Sequence, residues 1–92
     1  MDLKTAIKDP SANIIDVRER LEFFFGHAKK AVNIPLSKLP NKIDTFKKME
    51  GPIILYCRSG NRSGQAEAIL KSKGIKKVYN AGGLSDVRAL LK

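Results

Sequence analysis

Short apolar runs alternate along this chain with stretches in which apolar side chains recur every three to four positions. The compact runs predict buried strands at residues 13–17, 31–34, 53–56 and 77–80. The periodic stretches predict helices at residues 3–8, 19–25, 43–49, 63–73 and 85–91. Alternating strands and helices predict a parallel sheet that is covered by helices on both faces.

The ends of these elements locate the candidate chemistry. Ser63 is a candidate N-cap for the helix after the third strand, and Ser37 or Asn41 for the helix before it. In folds of this class, the binding site lies beyond the carboxyl ends of the strands. Cys57 directly follows the third predicted strand and Asp16 lies near the end of the first, so we expect both at that edge.

Composition bounds the fold and excludes several kinds of site. The 92 residues are 42% hydrophobic, which is ordinary for a globular fold, so we expect one domain over residues 1–92. Cys57 is the only cysteine and His27 the only histidine. Their number excludes an internal disulfide and leaves too few ligands for a zinc site, so the sequence predicts no metal centre.

The charge is strongly positive, with 18 basic and 9 acidic residues and a net charge of +9. The lysines are scattered among apolar positions without interleaved aromatic residues, which favours a solvated surface over a nucleic-acid site. No apolar run approaches the length of a membrane helix, and no signal peptide is visible. We therefore expect a monomer without nucleic-acid or membrane partners, cytoplasmic as the sequence is written. A periplasmic location is expected if Met1 marks a start after a removed signal.

The segment from Cys57 to Ser63 joins the third strand to the helix that follows it. Such a tight loop turns backbone N–H groups and the positive end of the helix dipole toward its centre, which creates an anion site. A cysteine there should ionise below a pKa of about 8.5 and act as a nucleophile. Arg58 and Arg62 add positive charge, and Gly60 permits a left-handed turn. These features favour function over a merely buried cysteine.

At these residues the sequence resembles the rhodanese family. The family's active loop, Cys-x-x-Gly-x-Arg followed by Ser or Thr, is matched by Cys57, Gly60, Arg62 and Ser63. The family block Asp-Val-Arg-Glu … Glu-Phe … Gly-His … Ala-x-Asn-Ile-Pro matches within residues 16–35, and Asn-Ala-Gly-Gly-Leu occupies positions 80–84. The resemblance implies an α/β, rhodanese-like, three-layer α/β/α fold with a parallel sheet of four to five strands.

The same resemblance implies a thiosulfate sulfurtransferase that works by double displacement without a cofactor. The Cys57 thiolate would take the outer sulfur of thiosulfate, release sulfite and hold a persulfide. A thiol or cyanide would then accept the sulfur, and a thioredoxin-like protein is one candidate acceptor. Because the chain has no second cysteine, the acceptor must come from outside. The substrate-binding residues that the loop implies are Arg58, Ser59, Gly60, Asn61, Arg62 and Ser63.

Four residues outside the loop are expected to support it, namely Asp16, Arg18, Glu19 and His27. Arg62 either binds substrate or pairs with a carboxylate such as Asp16, and we favour the pairing because Arg62 stands where the loop meets the helix. His27 could act as a general base. A preformed thiolate needs no base, so a structural histidine is the favoured interpretation.

Three consecutive aromatic residues, Phe23, Phe24 and Phe25, stand out in the second predicted helix. Consecutive helical side chains point in different directions, so the three cannot all face inward. At least one is expected to line the pocket or a surface that meets a partner.

Two other functions stay open at this point. A cysteine phosphatase or arsenate reductase of the related fold would need one more residue between cysteine and arginine. Here four residues separate Cys57 from Arg62, and Tyr56 stands where such phosphatases often have histidine. The second alternative is a binding module that carries the persulfide to one protein partner, which an intact loop does not exclude.

Overall fold

Four parallel strands form one sheet, and the computed structural model describes all 92 residues. The strands are β1 (Asn13–Asp16), β2 (Val32–Asn33), β3 (Ile53–Cys57) and β4 (Val78–Gly83). The helices are α1 (Leu3–Ala6), α2 (Arg20–Phe24), α3 (Ile43–Lys47), α4 (Asn61–Ser72) and α5 (Leu84–Leu90), with a 3₁₀ helix at Leu36–Lys42. The strand order is β2-β1-β3-β4, which confirms the predicted parallel α/β fold with four strands.

The central strand β3 separates two apolar layers, because successive side chains of a strand point to opposite faces. Leu55 faces the layer that contains Phe46 of α3 and Leu70 of α4. Ile54 faces the opposite layer, where Val87 of α5 is buried. Helices therefore cover both faces of the sheet, as the three-layer prediction requires. None of them combines the length and the hydropathy that a membrane span needs.

The caps predicted for two helices are wrong. Helix α4 begins at Asn61 with Gly60 at its N-cap, so Ser63 lies in its first turn and does not cap it. Gly60 has a φ of 97°, the left-handed conformation that turns the chain from loop to helix. Neither Ser37 nor Asn41 caps α3, because both lie within the 3₁₀ helix that leads into it.

A register shift between β3 and β4 brings Gly83 opposite Cys57. A Cβ atom on Gly83 would collide with the backbone carbonyl oxygen of Arg58, the first residue after β3. The missing side chain thus lets β4 pack directly against the start of the active loop. Asp86 fixes the same point, because its carboxylate accepts a hydrogen bond of 2.8 Å from the Gly83 amide.

Replacing Gly83 with alanine should disturb the loop as well as the fold. The new methyl group meets backbone atoms that cannot rotate away, so we expect a loss of about 1–3 kcal/mol in the free energy of unfolding. Cys57 should also be alkylated by iodoacetamide with a changed pH dependence.

Gly74→Ala is the matched control, because nothing lies within 4 Å of its Cβ position and only the left-handed backbone is strained. It should cost roughly 1–2 kcal/mol and leave Cys57 alkylation unchanged. Normal stability and alkylation in Gly83→Ala would contradict the close approach.

Candidate active site

Cys57 ends strand β3 with only 1% of its surface exposed, and its sulfur lies inside the loop that leads to α4. The backbone amide of Gly60 donates to the sulfur at 3.0 Å, and the amide of Ser63 lies 3.5 Å from it. The Ser63 hydroxyl is 3.3 Å from the sulfur. The left-handed Gly60 and the first turn of α4 turn these groups inward, so the sulfur lies in a cradle of hydrogen-bond donors.

This cradle decides the ionisation of the thiol. Burial of Cys57 by itself raises the pKa of the thiol, but hydrogen bonds from the Ser63 side chain and from the amides of Ser63, Ser59 and Gly60 outweigh it and lower the pKa to about 7. The positive end of the α4 dipole acts in the same direction. A substantial fraction of Cys57 is therefore thiolate near neutral pH, the form that acts as a nucleophile.

The Ser63 hydroxyl has one proton and two neighbours that can accept it. Its oxygen lies 2.7 Å from Asn80 Oδ1 and 3.3 Å from Cys57 Sγ. Asn80 is oriented by two further bonds of 3.0 Å, from its Nδ2 to the Gly60 carbonyl and from the Gly82 amide to its Oδ1. When the thiol ionises, the Ser63 hydroxyl can turn and donate its proton to the sulfur, while Asn80 Oδ1 still accepts a hydrogen bond from the Gly82 amide.

The structure corrects the expected partner of Arg62. Its guanidinium forms a two-pronged ion pair with Glu22 of α2, at 2.7 Å and 3.0 Å, and not with Asp16. The pKa of the Glu22 carboxyl falls to about 2, chiefly because Arg62 donates hydrogen bonds to it. The predicted structural pairing of Arg62 is present, but it ties the loop to α2.

Asp16 is engaged by a different arginine. Its carboxylate, fully buried at the end of β1, accepts hydrogen bonds from the Arg18 guanidinium at 2.6–3.0 Å. Arg18 also donates to the carbonyl of Gly26, just beyond α2, at 2.6 Å. Asp16 pairs with Arg18 because Arg18 lies only two residues beyond Asp16, just after the end of β1. The pair holds the segment that carries α2.

Of the remaining predicted loop residues, Ser59 acts on the sulfur, whereas Arg58 and Asn61 do not contact it. Ser59 contributes through its backbone amide, as described, while its side chain is exposed. Arg58 is exposed and forms no ion pair, so its charge is free at the loop. Asn61 is turned outward, where its Oδ1 accepts a hydrogen bond from Gln65 at 2.9 Å. Asn61 therefore does not join the cradle.

The last two predicted support residues lie around α2. The His27 ring stacks on Phe23 with centroids 3.8 Å apart, and its Nδ1 donates to the Phe23 carbonyl at 2.9 Å. These contacts hold the His27 ring against α2. Glu19 is the N-cap of α2, and its backbone amide donates to the Glu22 carboxylate at 3.0 Å. Both residues shape the helix that bears Glu22.

Glu22 and Asn80 contact the loop, but the sequence did not identify them as site residues. Both stand inside segments that carry the family resemblance, but their distance from the loop in sequence hid their contacts. For Asn80 a signal was present, because it ends the predicted strand at residues 77–80, and a polar residue at a strand end indicates the carboxyl edge of the sheet. No group of three or more His, Cys, Asp or Glu side chains gathers anywhere in the structure.

Known proteins provide the final comparison. The family model for the rhodanese-like domain matches residues 1–90. The chain belongs to the rhodanese family. A solved structure of an Escherichia coli rhodanese with anions superposes with a TM-score of 0.74 at 38% identity and covers 82% of this chain and 89% of that chain. The resemblance that the loop sequence indicated is thereby confirmed, and the chain is a member of a sulfurtransferase family.

Two curated relatives of this rhodanese carry different names. Thiosulfate sulfurtransferase PspE of Escherichia coli is 39% identical over 74 residues, covering 79% of this chain and 71% of PspE. The tRNA uridine(34) hydroxylase of Hamiltonella defensa is 36% identical over 87 residues, covering 89% of this chain. The chain spans only 24% of that hydroxylase. The family of this chain is therefore established, but the two relatives are named for different activities.

Alkylation of Cys57 by iodoacetamide should have a midpoint near pH 7, because the thiolate is the reacting form. Ser63→Ala removes one donor from the sulfur and should move the midpoint upward. Ser59→Ala is the matched control, since only the Ser59 amide acts on the thiol, and its midpoint should stay unchanged. A midpoint at or above about 8.5 in the unaltered chain would show that the cradle does not stabilise the anion.

The Glu22–Arg62 pair should stabilise the fold in a pH-dependent way. Because the folded-state pKa of Glu22 is depressed from 4.5 to about 2, its contribution is present above pH 4.5 and is lost as the pH falls toward 2. Glu22→Gln should therefore be less stable than the unaltered chain at pH 7, and the difference should vanish near pH 2.

Urea unfolding at pH 7, 4 and 2 measures this difference. Glu67→Gln, which removes a surface pair with Lys71 on α4, is the matched control and should have a smaller effect. A Glu22→Gln difference that stays constant over this pH range would show that the charge of Glu22 is not its cause.

Proposed function

We propose that this rhodanese is a thiosulfate sulfurtransferase that carries sulfane sulfur on Cys57 and delivers it to a thiol or to cyanide. One observation carries the proposal, namely the buried Cys57 sulfur surrounded by amide and hydroxyl donors that lower the pKa of the thiol to about 7. Such a site prepares an anionic sulfur nucleophile without a general base. The similarity to PspE, named a thiosulfate sulfurtransferase, supports the same substrate.

The first half of the proposed reaction loads the enzyme. The Cys57 thiolate attacks the outer sulfur of thiosulfate and forms a new S–S bond. The S–S bond of thiosulfate breaks, and its electron pair leaves with sulfite. Arg58, exposed and unpaired at the loop, attracts the dianion. The fixed amides of Ser59 and Gly60 stabilise the negative charge, which lies on the outer sulfur of the Cys57 persulfide once sulfite has left.

The second half unloads the enzyme. An acceptor thiolate or cyanide attacks the outer sulfur of the Cys57 persulfide, and the S–S bond breaks. The electron pair returns to Cys57 as thiolate, and the donors from Gly60 and Ser63 stabilise it again. The same donors thus stabilise the Cys57 thiolate before loading and again when it leaves the persulfide.

Phosphate-ester hydrolysis is the less favoured chemistry. The loop places only four residues between Cys57 and Arg62, and the Arg62 guanidinium is occupied by Glu22. The Tyr56 hydroxyl accepts a bond of 2.9 Å from the Ala28 amide, and burial raises its pKa to about 12, which makes it a poor proton donor at neutral pH. With Arg62 paired to Glu22, the arginine at the helix end of the loop is not free to bind a tetrahedral oxyanion.

A persulfide carrier is the second candidate function. The chain is also similar to about a quarter of a protein named tRNA uridine(34) hydroxylase, so a region like it also occurs within a longer protein of a different named activity. A carrier loads Cys57 once and passes its sulfur to one partner, so it forms the persulfide without sustained turnover with cyanide. The two candidates share the loading step and differ in the acceptor.

The test has a loading arm and a turnover arm. After exposure to thiosulfate, the intact mass should rise by one sulfur atom that a reductant removes, and Cys57→Ser should fold normally and gain none. Sustained thiocyanate formation from thiosulfate and cyanide distinguishes the enzyme from the carrier. Loading without turnover would favour the carrier, and no loading would contradict both. Hydrolysis of an aryl phosphate that is lost in Cys57→Ser would establish the phosphatase instead.

A further inference from the structure

Helix α2 presents an apolar surface to solvent. Leu21, Phe24 and Phe25 are 67%, 76% and 79% exposed, and we call these three residues the aromatic patch. No residue of α2 is buried, and the rings of Phe24 and Phe25 pack edge to face against each other with centroids 5.5 Å apart. Exposed apolar side chains are common singly, but a cluster of three within five positions marks an interaction surface.

The aromatic patch is attached to the active loop by its own helix. Glu22, which lies between Leu21 and the two exposed phenylalanines, pairs with Arg62 in the first turn of α4. On the other side of the patch, Arg18 donates to the carbonyl of Gly26 at 2.6 Å. The patch therefore has a fixed position beside the loop that holds Cys57.

Three arginines without an ion pair accompany this surface. Arg20 begins α2, and Arg58 lies in the active loop. The Arg88 guanidinium of α5 is 3.9 Å from the Cβ position of Gly26, directly after α2. Phenylalanine and arginine are enriched in protein interfaces, and a free guanidinium binds a carboxylate with two hydrogen bonds. The combination fits a partner with an apolar contact surrounded by acidic residues.

We propose that the aromatic patch, with Arg20, Arg58 and Arg88, docks an acidic protein that brings its own thiol to the Cys57 persulfide. The proposal rests on the sulfurtransferase function above and names the class of its acceptor. Docking places the acceptor thiolate against the outer sulfur, which it takes as the S–S bond breaks and the electron pair returns to Cys57. With a dithiol acceptor, the second thiol then displaces hydrosulfide and leaves the acceptor as a disulfide.

Two other occupants fit the surface less well. A second copy of the chain would bring a net charge of +9 against another +9, and the three arginines would face each other without carboxylates to pair with. An anionic membrane would attract the charge, but α2 has only five residues, much shorter than the amphipathic helices that lie in membrane interfaces. An acidic protein with an apolar contact would cover the aromatic patch and would also pair with the three arginines.

The experiment compares acceptors of different size on the same enzyme. Thiosulfate turnover is measured with cyanide, with dithiothreitol, and with a reduced thioredoxin of net negative charge, with hydrosulfide release followed for both dithiols. The variants are Phe24→Ser/Phe25→Ser and Arg20→Glu, which alter exposed side chains outside the cradle. Lys73→Glu, an exposed charge reversal at the far end of α4, is the matched control.

The apparent KM for thioredoxin should rise about tenfold or more in Phe24→Ser/Phe25→Ser and in Arg20→Glu, equivalent to about 1.4 kcal/mol of docking. Turnover with cyanide and dithiothreitol should stay unchanged in them, and Lys73→Glu should retain the KM for thioredoxin. Equal KM values for thioredoxin in all variants would overturn the docking proposal while cyanide turnover upholds the enzyme. Absence of cyanide turnover in the unaltered chain would instead overturn the proposed function.

Two binding controls address the other occupants. Light scattering should give the same mass for the unaltered chain and for Phe24→Ser/Phe25→Ser, and a dimer that the variant dissociates would overturn the proposal. Cosedimentation with phosphatidylserine vesicles should not depend on Phe24 and Phe25. Vesicle binding lost in the double variant would assign the aromatic patch to a membrane surface.

Discussion

The structure depends on one constraint, which is that a negative sulfur must be stable where water does not reach it. Cys57 is 1% exposed, and burial by itself favours the neutral thiol. Directed N–H and O–H groups reverse that preference without a general base in contact with the sulfur. Each donor comes from residues 58–63, which lead from the end of β3 into the first turn of α4. The loop can therefore work only if its backbone is held in one conformation.

Contacts from outside the loop supply that conformation. On one side, β4 contributes the Asn80 amide, which holds the Gly60 carbonyl and the Ser63 hydroxyl, and the bare backbone of Gly83. On the other side, α2 contributes Glu22, which binds Arg62. About a third of each side chain in that ion pair is exposed, so its contribution to stability is modest and its main effect is to position the loop.

The sequence predicted the parallel fold, the strand that leads to Cys57 and the left-handed turn at Gly60, because these follow from local patterns of apolar residues and from the glycine itself. It did not predict that Arg62 meets Glu22, or that Ser63 bonds Asn80 and does not cap its helix. Those contacts join residues 40 and 17 positions apart. These residues meet only when the helices pack on the sheet, and the spacing of residues within one segment does not predict that packing.

Charge is divided between fixed and free groups in a way that suits a sulfur cargo. The guanidinium of Arg62 is neutralised by Glu22, so the interior of the loop stabilises one negative charge through the Ser63 hydroxyl and the backbone amides. The guanidinium groups of Arg20, Arg58 and Arg88 carry no ion pair, and all three residues are exposed, where they would meet the proposed dianion or acidic partner. Fixed dipoles are little affected by salt, whereas exposed charges are screened within about 10 Å at 0.1 M salt. Ionic strength should therefore act on the arrival of donor and acceptor, while the reactivity of Cys57 itself is set by the fold.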